Sequence, residues 1–293
     1  MLSYALSATA LALCLGGALL YMARVSRGDL RPPPWLLRSG VLLAGPLSLA
    51  SILCARARGE PLGLALAFAI AALSLAGLAG LLHGMRRTPL GRLTVRVGAR
   101  MLPFTALTPE GAPFDSTSWD GKRILLKFFR GEWCPFCQAE LKAFDAMRGE
   151  LARHGVALYA LSKDPPQVAQ RHRERDALQL GLLCDPDLRV IRRYGVEHQR
   201  ALEISKGRRI SLFGLNVGLV PSFESMAIPT TLLIDEHGCI RWVDQSGDYK
   251  VRSSPERVIA AVAQVFPDLS LGSLTNTTPA TREHWSVTQP IGR

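Results

Sequence analysis

Three stretches near the N-terminus are apolar almost without interruption, and no later stretch is. Residues 3–23, "SYALSATALALCLGGALLYMA", carry no charge, and neither do residues 61–85, "PLGLALAFAIAALSLAGLAGLLHGM". Between them, "SGVLLAGPLSLASILCA" at 39–55 is shorter and holds Pro46. Extended back over Trp35, Leu36 and Leu37, with Arg38 reaching to the interface, it becomes long enough to span. A helix crosses the hydrocarbon core with about 20 residues. The pattern therefore predicts a membrane module over residues 1–88 with about three transmembrane helices, near 3–23, 35–55 and 61–85. Gly77, Ala79 and Gly80 predict close helix packing in the third.

Beyond this module short apolar runs alternate with helical periodicity. "RILLKFF" at 123–129 predicts a buried strand behind a turn at "WDGK". Leu141, Phe144, Met147 and Leu151, spaced by three and four, predict an amphipathic helix ending near Gly155. "VALYALS" at 156–162 predicts the next strand, 165–178 a charged helix opened by proline, and 180–185 a further strand. "TTLLIDEHGCIRWV" at 230–243 predicts a hairpin, and Ser254 the N-cap of a closing helix. Such alternation implies an α/β domain over 89–269, a central mixed sheet flanked by helices. Residues 197–227 form a connection longer than ordinary loops, open to three readings: docking on the membrane surface, covering a site, or packing as an insertion on the sheet. The Thr-, Ser- and Pro-rich residues 270–293 predict a disordered tail.

Charge sharpens the membrane reading. Lys and Arg number 35 against 24 Asp and Glu, and before residue 101 the balance is 11 to 2. Those arginines flank apolar runs, which favours lipid contact and argues against nucleic-acid binding. Arg24, Arg27, Arg31 and Arg38 lie between the first two helices, and Arg86, Arg87, Arg92, Arg96 and Arg100 follow the third. Short cytoplasmic loops retain positive charge, so three spans predict a multi-pass protein of a bacterial-type inner membrane with the α/β domain in the cytoplasm.

The six cysteines show no disulfide framework. Cys14 and Cys54 lie in apolar runs and read as small hydrophobes. Cys184, in an apolar strand, and Cys239, in the hairpin, read as structural thiols. Cys134 and Cys137 differ, because "FFRGEWCPFCQAEL" orders a strand, a short loop, Trp133, a Cys-x-x-Cys pair and a helix. That order puts Cys134 at a helix N-terminus, where unsatisfied amides and the helix dipole favour a thiolate. Cys137, one turn deeper, can resolve a mixed disulfide. Structural zinc needs a second ligand pair at matching spacing, and the sequence supplies none.

That run, with "LCDPDLRVIRRYGV" and "AIPTTLLIDEHGCIRWV", resembles the thioredoxin-fold redoxins, in particular the peroxiredoxin-like alkyl hydroperoxide reductase/thiol-specific antioxidant family, over about residues 95–266. The resemblance implies a thioredoxin-like fold and two assignments of the chemistry. In thioredoxin-like reductants the first cysteine of the motif attacks, which is Cys134. In peroxiredoxins the peroxidatic cysteine follows a Thr-x-x pattern, which maps to Cys137 with Cys134 in the threonine's place; Cys184 or Cys239 would then resolve. Before the "TTLLID" strand, thioredoxins carry a cis-proline facing the thiols and peroxiredoxins an arginine. This chain has Pro229, flanked by Ile228 and Thr230, whose backbone would then meet an extended substrate. Arg130 is the remaining candidate to support a thiolate electrostatically. Glu140 matches the carboxylate of tethered thioredoxins with "WCxxCxxE": it either relays the Cys137 proton or is a solvated first-turn glutamate.

These features make the expected protein a membrane-anchored thiol-disulfide oxidoreductase. Cys134 attacks, Cys137 resolves, and Trp133, Pro229, Thr230, Glu140 and Arg130 support them. Two alternatives stand beside it: a peroxiredoxin-like peroxidase with Cys137 peroxidatic, and a non-catalytic redox sensor or scaffold. No organic cofactor or metal is implied. The expected partners are a dithiol or disulfide protein, or a small thiol reductant, besides membrane lipid; the oligomeric state is not legible.

Overall fold

The computed structural model describes residues 2–267 apart from 30–31, 91, 206–209, 213–214, 218–219 and 252. The tail predicted to be disordered, 270–293, lies outside the described residues. The chain forms two compact units, residues 1–87 and 88–293.

The first unit is three helices, α1 (Leu2–Ser26), α2 (Trp35–Ala57) and α3 (Leu62–Gly84). Pro46 sits within α2 without ending it. Among the described residues two helices qualify as spans by length and apolarity, Leu2–Ser26 and Leu37–Ala57. Three were expected; α3 is 23 residues long, and its described apolar stretch is Ala65–Leu81, so among the described residues it is not counted with the other two. The tight packing also falls elsewhere than predicted. A Cβ on Gly77 or Gly80 would meet nothing within 4 Å, whereas one on Gly40 would lie 2.9 Å from the Cys14 backbone. There α1 and α2 touch main chain to main chain, and Ala10, Ala44 and Ala72 close the seam. Ser7 and Ser51 meet across it, so their buried hydroxyls are paired rather than stranded in an apolar bundle.

The second unit is the predicted α/β domain. Its seven-stranded sheet comprises β1 (Thr105–Leu107), β2 (Pro113–Asp115), β3 (Arg123–Phe128), β4 (Val156–Ser162), β5 (Gly181–Cys184), β10 (Thr230–Ile234) and β11 (Ile240–Gln245), in the order β11-β10-β3-β4-β5-β1-β2. β3, β4 and β5 run parallel, β10 runs antiparallel to β3, and β11 antiparallel to β10. The helices are α4 (Pro135–Ala146), α5 (Arg148–Arg153), α6 (Pro166–Asp176), α7 (Arg189–Arg193) and α8 (Pro255–Val265). Parallel strands joined through helices, closed by an antiparallel hairpin, make this a thioredoxin-like fold.

Local chemistry explains most boundaries. β3 is an apolar run buried from Ile124 to Phe128, with Lys127 its one charged inward residue. Ser254 caps α8 as predicted, its hydroxyl accepting from the Arg257 amide at 3.3 Å. The helix predicted to run from the cysteines to His154 breaks instead at Met147, whose φ of −87° and ψ of 3° interrupt the ladder. Gly195, at φ +66°, passes so close to Arg92 that a Cβ would lie 1.8 Å from its carbonyl oxygen, and only glycine fits.

The described residues of 197–227 form strands rather than a loop. β6 (Glu197–Ser205) pairs antiparallel with β9 (Val220–Ala227), and β7 (Ile210–Leu212) with β8 (Leu215–Val217) between them. β9 leads straight through Ile228 and Pro229 into β10, which fixes the base of this hairpin beside the C-terminal end of β3.

Candidate active site

At the end of β3, Phe128 lies opposite Thr230 of β10 on one side and Leu161 of β4 on the other. The loop leaving β3 thus departs where β10 begins and β4 ends. Cys134 closes it as the N-cap of α4, with extended backbone (φ −84°, ψ 113°) and Pro135 at the first helical position. Its carbonyl accepts from the amides of Cys137 and Gln138, each at 3.0 Å, so Cys137 rides the first turn. Both cysteines are buried, at 1% and 0% exposure. A helix N-terminus under one sulfur and a second sulfur one turn along is the arrangement an internal disulfide exchange requires.

The loop is held from below. Asp164 takes the Glu132 amide on Oδ2 at 2.8 Å, and the Ser162 hydroxyl donates to the same oxygen at 2.8 Å. Gly131, at φ +148°, leaves no room: a Cβ there would lie 2.9 Å from Asp164 Oδ1. Burial drives the Asp164 carboxyl up to about 6, and the hydrogen bonds from Ser162 and Glu132 oppose the rise.

Beneath α4 lies a buried ion pair. Lys127 Nζ donates to Glu140 Oε1 at 2.7 Å and to Thr231 Oγ1 at 3.2 Å, the two charged residues being 2% and 0% exposed. Glu140 is therefore not a solvated first-turn glutamate. It faces the core one turn beyond Cys137, and Lys127 meets it from β3.

Arg130 is 2% exposed. Its Nε donates to Met226 Sδ at 3.1 Å and its Nη2 to the Leu202 carbonyl at 2.7 Å, so β9 and β6 both grip it. Its guanidinium carbon stands 5.1 Å from the Trp133 ring and 4.2 Å from the Tyr249 ring. Among the described residues no carboxylate pairs with it. The Trp133 Nε1–H is buried without an acceptor among them.

One sequence expectation needs correction. The peptide before Pro229 is trans, since the described residues contain no cis bond. Pro229 is a strand-start proline, its carbonyl accepting from Ser246 at 2.9 Å, a position where proline is tolerated and where trans is the ordinary isomer. Thr230 turns inward: its hydroxyl donates to the Ile228 carbonyl at 3.0 Å and accepts from Gln245 at 3.2 Å. Both stay at the site's end of the sheet as scaffold. Cys184 is buried, and burial pushes its thiol up to about 12. Sequence reasoning missed Lys127, Asp164 and Tyr249. Of these only Lys127 left a signal, a lysine inside an otherwise apolar strand.

Comparison with known proteins places the chain. Residues 97–243 match the AhpC/TSA family. The chain belongs to that family. Thiol-disulfide oxidoreductase ResA of Halalkalibacterium halodurans is 27% identical over 157 residues, covering 53% of this chain and 72% of that protein. A putative peroxiredoxin bcp of Coxiella burnetii is 29% identical over 148 residues, covering 50% and 87%. Among solved structures, peroxidoxin BcpB from Mycobacterium tuberculosis aligns at a TM-score of 0.45 and 18% identity, over 58% of this chain and 98% of that one. This AhpC/TSA chain is a redox thiol enzyme, an oxidoreductase of the redoxin class.

Proposed function

We propose that this AhpC/TSA protein is a membrane-anchored thiol-disulfide oxidoreductase in which Cys134 attacks and Cys137 resolves. The observation that supports it most is the placement of Cys134 as the N-cap of α4 with Cys137 on the first turn. The Cys134 thiolate attacks one sulfur of a substrate disulfide, forming a mixed disulfide and releasing the first substrate thiolate. Cys137 then attacks the Cys134 sulfur, closing the internal disulfide and releasing the second. The substrate disulfide gains two electrons and the Cys134–Cys137 dithiol loses two. A dithiol protein or a small thiol returns them. Glu140, one turn from Cys137 on the buried face, is the group placed to take its proton. Arg130 stacks on Trp133 beside Cys134 in the chain, while Pro229 and Thr230 lead β10 onto β3.

A peroxidase reading with Cys137 peroxidatic is favoured by one feature, the buried Arg130 guanidinium stacked on Trp133, the residue before Cys134. Substitution separates the two. Cys137→Ser is expected to accumulate a mixed disulfide with a disulfide substrate and Cys134→Ser none, both losing insulin reduction. Full thiol-dependent peroxide turnover by Cys134→Ser would overturn the assignment. The apolar helices α1 and α2 supply the anchor. The side follows from parity: with Arg24–Arg38 retained in the cytoplasm, two spans put the redox unit outside and three put it inside. A C-terminal reporter active on one side only reads which.

A further inference from the structure

We propose that Tyr249 is a positioning residue of the dithiol site: its hydroxyl, polarised by Arg130, holds the negative charge of the Cys134 thiolate. The proposal rests on Cys134 being the nucleophile. Tyr249 lies in the loop after β11, far in sequence from the motif, yet only 9% of it is exposed. Its ring meets that of Phe136, the residue between Pro135 and Cys137, at 6.1 Å with the planes at 67°. The Arg130 guanidinium covers it at 4.2 Å. Tyr249 is thus packed between the motif's own aromatic residue and a buried cation.

Arg130 explains what the hydroxyl is for. The hairpin fixes the guanidinium through the Leu202 carbonyl and Met226 sulfur, and both of those partners are neutral. Among the described residues its charge is met by no carboxylate, and such a cation favours whatever anion forms beside it. Lying 4.2 Å from the ring, its charge also eases loss of the phenol proton. A phenol beside a cation is a stronger donor through that proton.

Burial above all, then Cys134 and Asp248, makes Tyr249 harder to ionise than usual, while Arg130 works the other way, so the phenol keeps its proton as a donor. The other charged groups around it are Lys250, 5.9 Å from its ring, and His198 beyond Arg130. Burial and Arg130 push His198 down to about 4, so it is neutral at working pH. Glu132 is paired with Arg175, and Glu140 with Lys127.

The test is the pH profile of iodoacetamide labelling on the full chain in detergent, with each labelled cysteine identified by peptide mass spectrometry. Any opening step needed to expose the sulfur scales the rate at all pH values and leaves the midpoint in place. Tyr249→Phe keeps the ring against Phe136 and under Arg130 but removes the hydroxyl. It is expected to raise the Cys134 midpoint by about one unit, a roughly tenfold loss of thiolate below that midpoint. Arg130→Met should raise it at least as far and Arg130→Lys less. A Tyr249→Phe profile that superimposes on wild type, with the low midpoint still at Cys134, overturns the role of Tyr249 alone. A low midpoint at Cys137 in every variant overturns the nucleophile assignment and this proposal with it. Tyr249→Phe is shape-conserving, and a cooperative unfolding transition at the wild-type temperature confirms that the profile reads the hydroxyl.

Discussion

Replacing Glu140 by Gln isolates the energetics beneath the dithiol. The substitution keeps the side chain's volume and its carbonyl acceptor, and it removes the charge that compensates Lys127. In the native chain the two charged groups meet at 2.7 Å with 2% and 0% exposure, which leaves bulk water little part in the pair. Breaking a buried pair by removing one partner costs roughly 3–5 kcal/mol, because the survivor stays buried and uncompensated. For a unit of this size each kcal/mol moves the midpoint by about 2–4 °C, so the redox unit's thermal transition is expected to fall by roughly 6–20 °C. The Lys127→Leu/Glu140→Leu double variant removes both charges together, and a buried pair exchanged for apolar residues is often neutral. It is expected to recover most of the loss, so the cycle gives a large coupling between the two sites. The assay is near-UV circular dichroism during heating of the full chain in detergent. A fall of less than about 2 °C in the Glu140→Gln variant would refute the reasoning, since it would mean that water reaches the pair.

Two further outcomes follow from the same geometry. Asp164 is held at about 6 against an ordinary 3.8, so its contribution to stability is fully present below pH 3.8 and is lost as pH rises through about 6. Asp164→Asn keeps an acceptor for the Glu132 amide without the charge. It is expected to raise stability by up to about 3 kcal/mol at pH 7.5 and by much less at pH 4.5, read from urea midpoints; an equal gain at both would sink the argument. Cys184, buried with its thiol pushed up to about 12, is expected to resist maleimide at pH 8 in the native chain and to label only on unfolding, whereas half-buried Cys239 labels first. Equal rates at the two positions would show that the strand opens freely.

Local chemistry made the motif legible. A cysteine that caps a helix, a proline at its first position and a second cysteine one turn on are all set within a few residues, and they appear as read. The alternating strands and helices were legible for the same reason. Glu140 was not, because a first-turn glutamate satisfies the helix dipole equally well in water. Only the register that brings Lys127 of β3 under α4 decides its burial. The isomer at Pro229 is likewise not fixed by its neighbours, and the structure has it trans. Tyr249 reaches the site only through tertiary packing, and nothing in "SGDYK" marks it.

The depth of the two sulfurs has a kinetic consequence. With Cys134 at 1% exposure and Cys137 at 0%, attack waits on a local opening of the loop, and its free energy adds to the barrier for every attacker alike. A protein that docks can supply that energy from its own contact surface, while a small oxidant brings no such surface. If the proposed function holds, the area a partner offers then weighs in its rate of reaction alongside its oxidising strength. On the proposed mechanism, the buried dithiol would react slowly with anything that cannot help to open the loop.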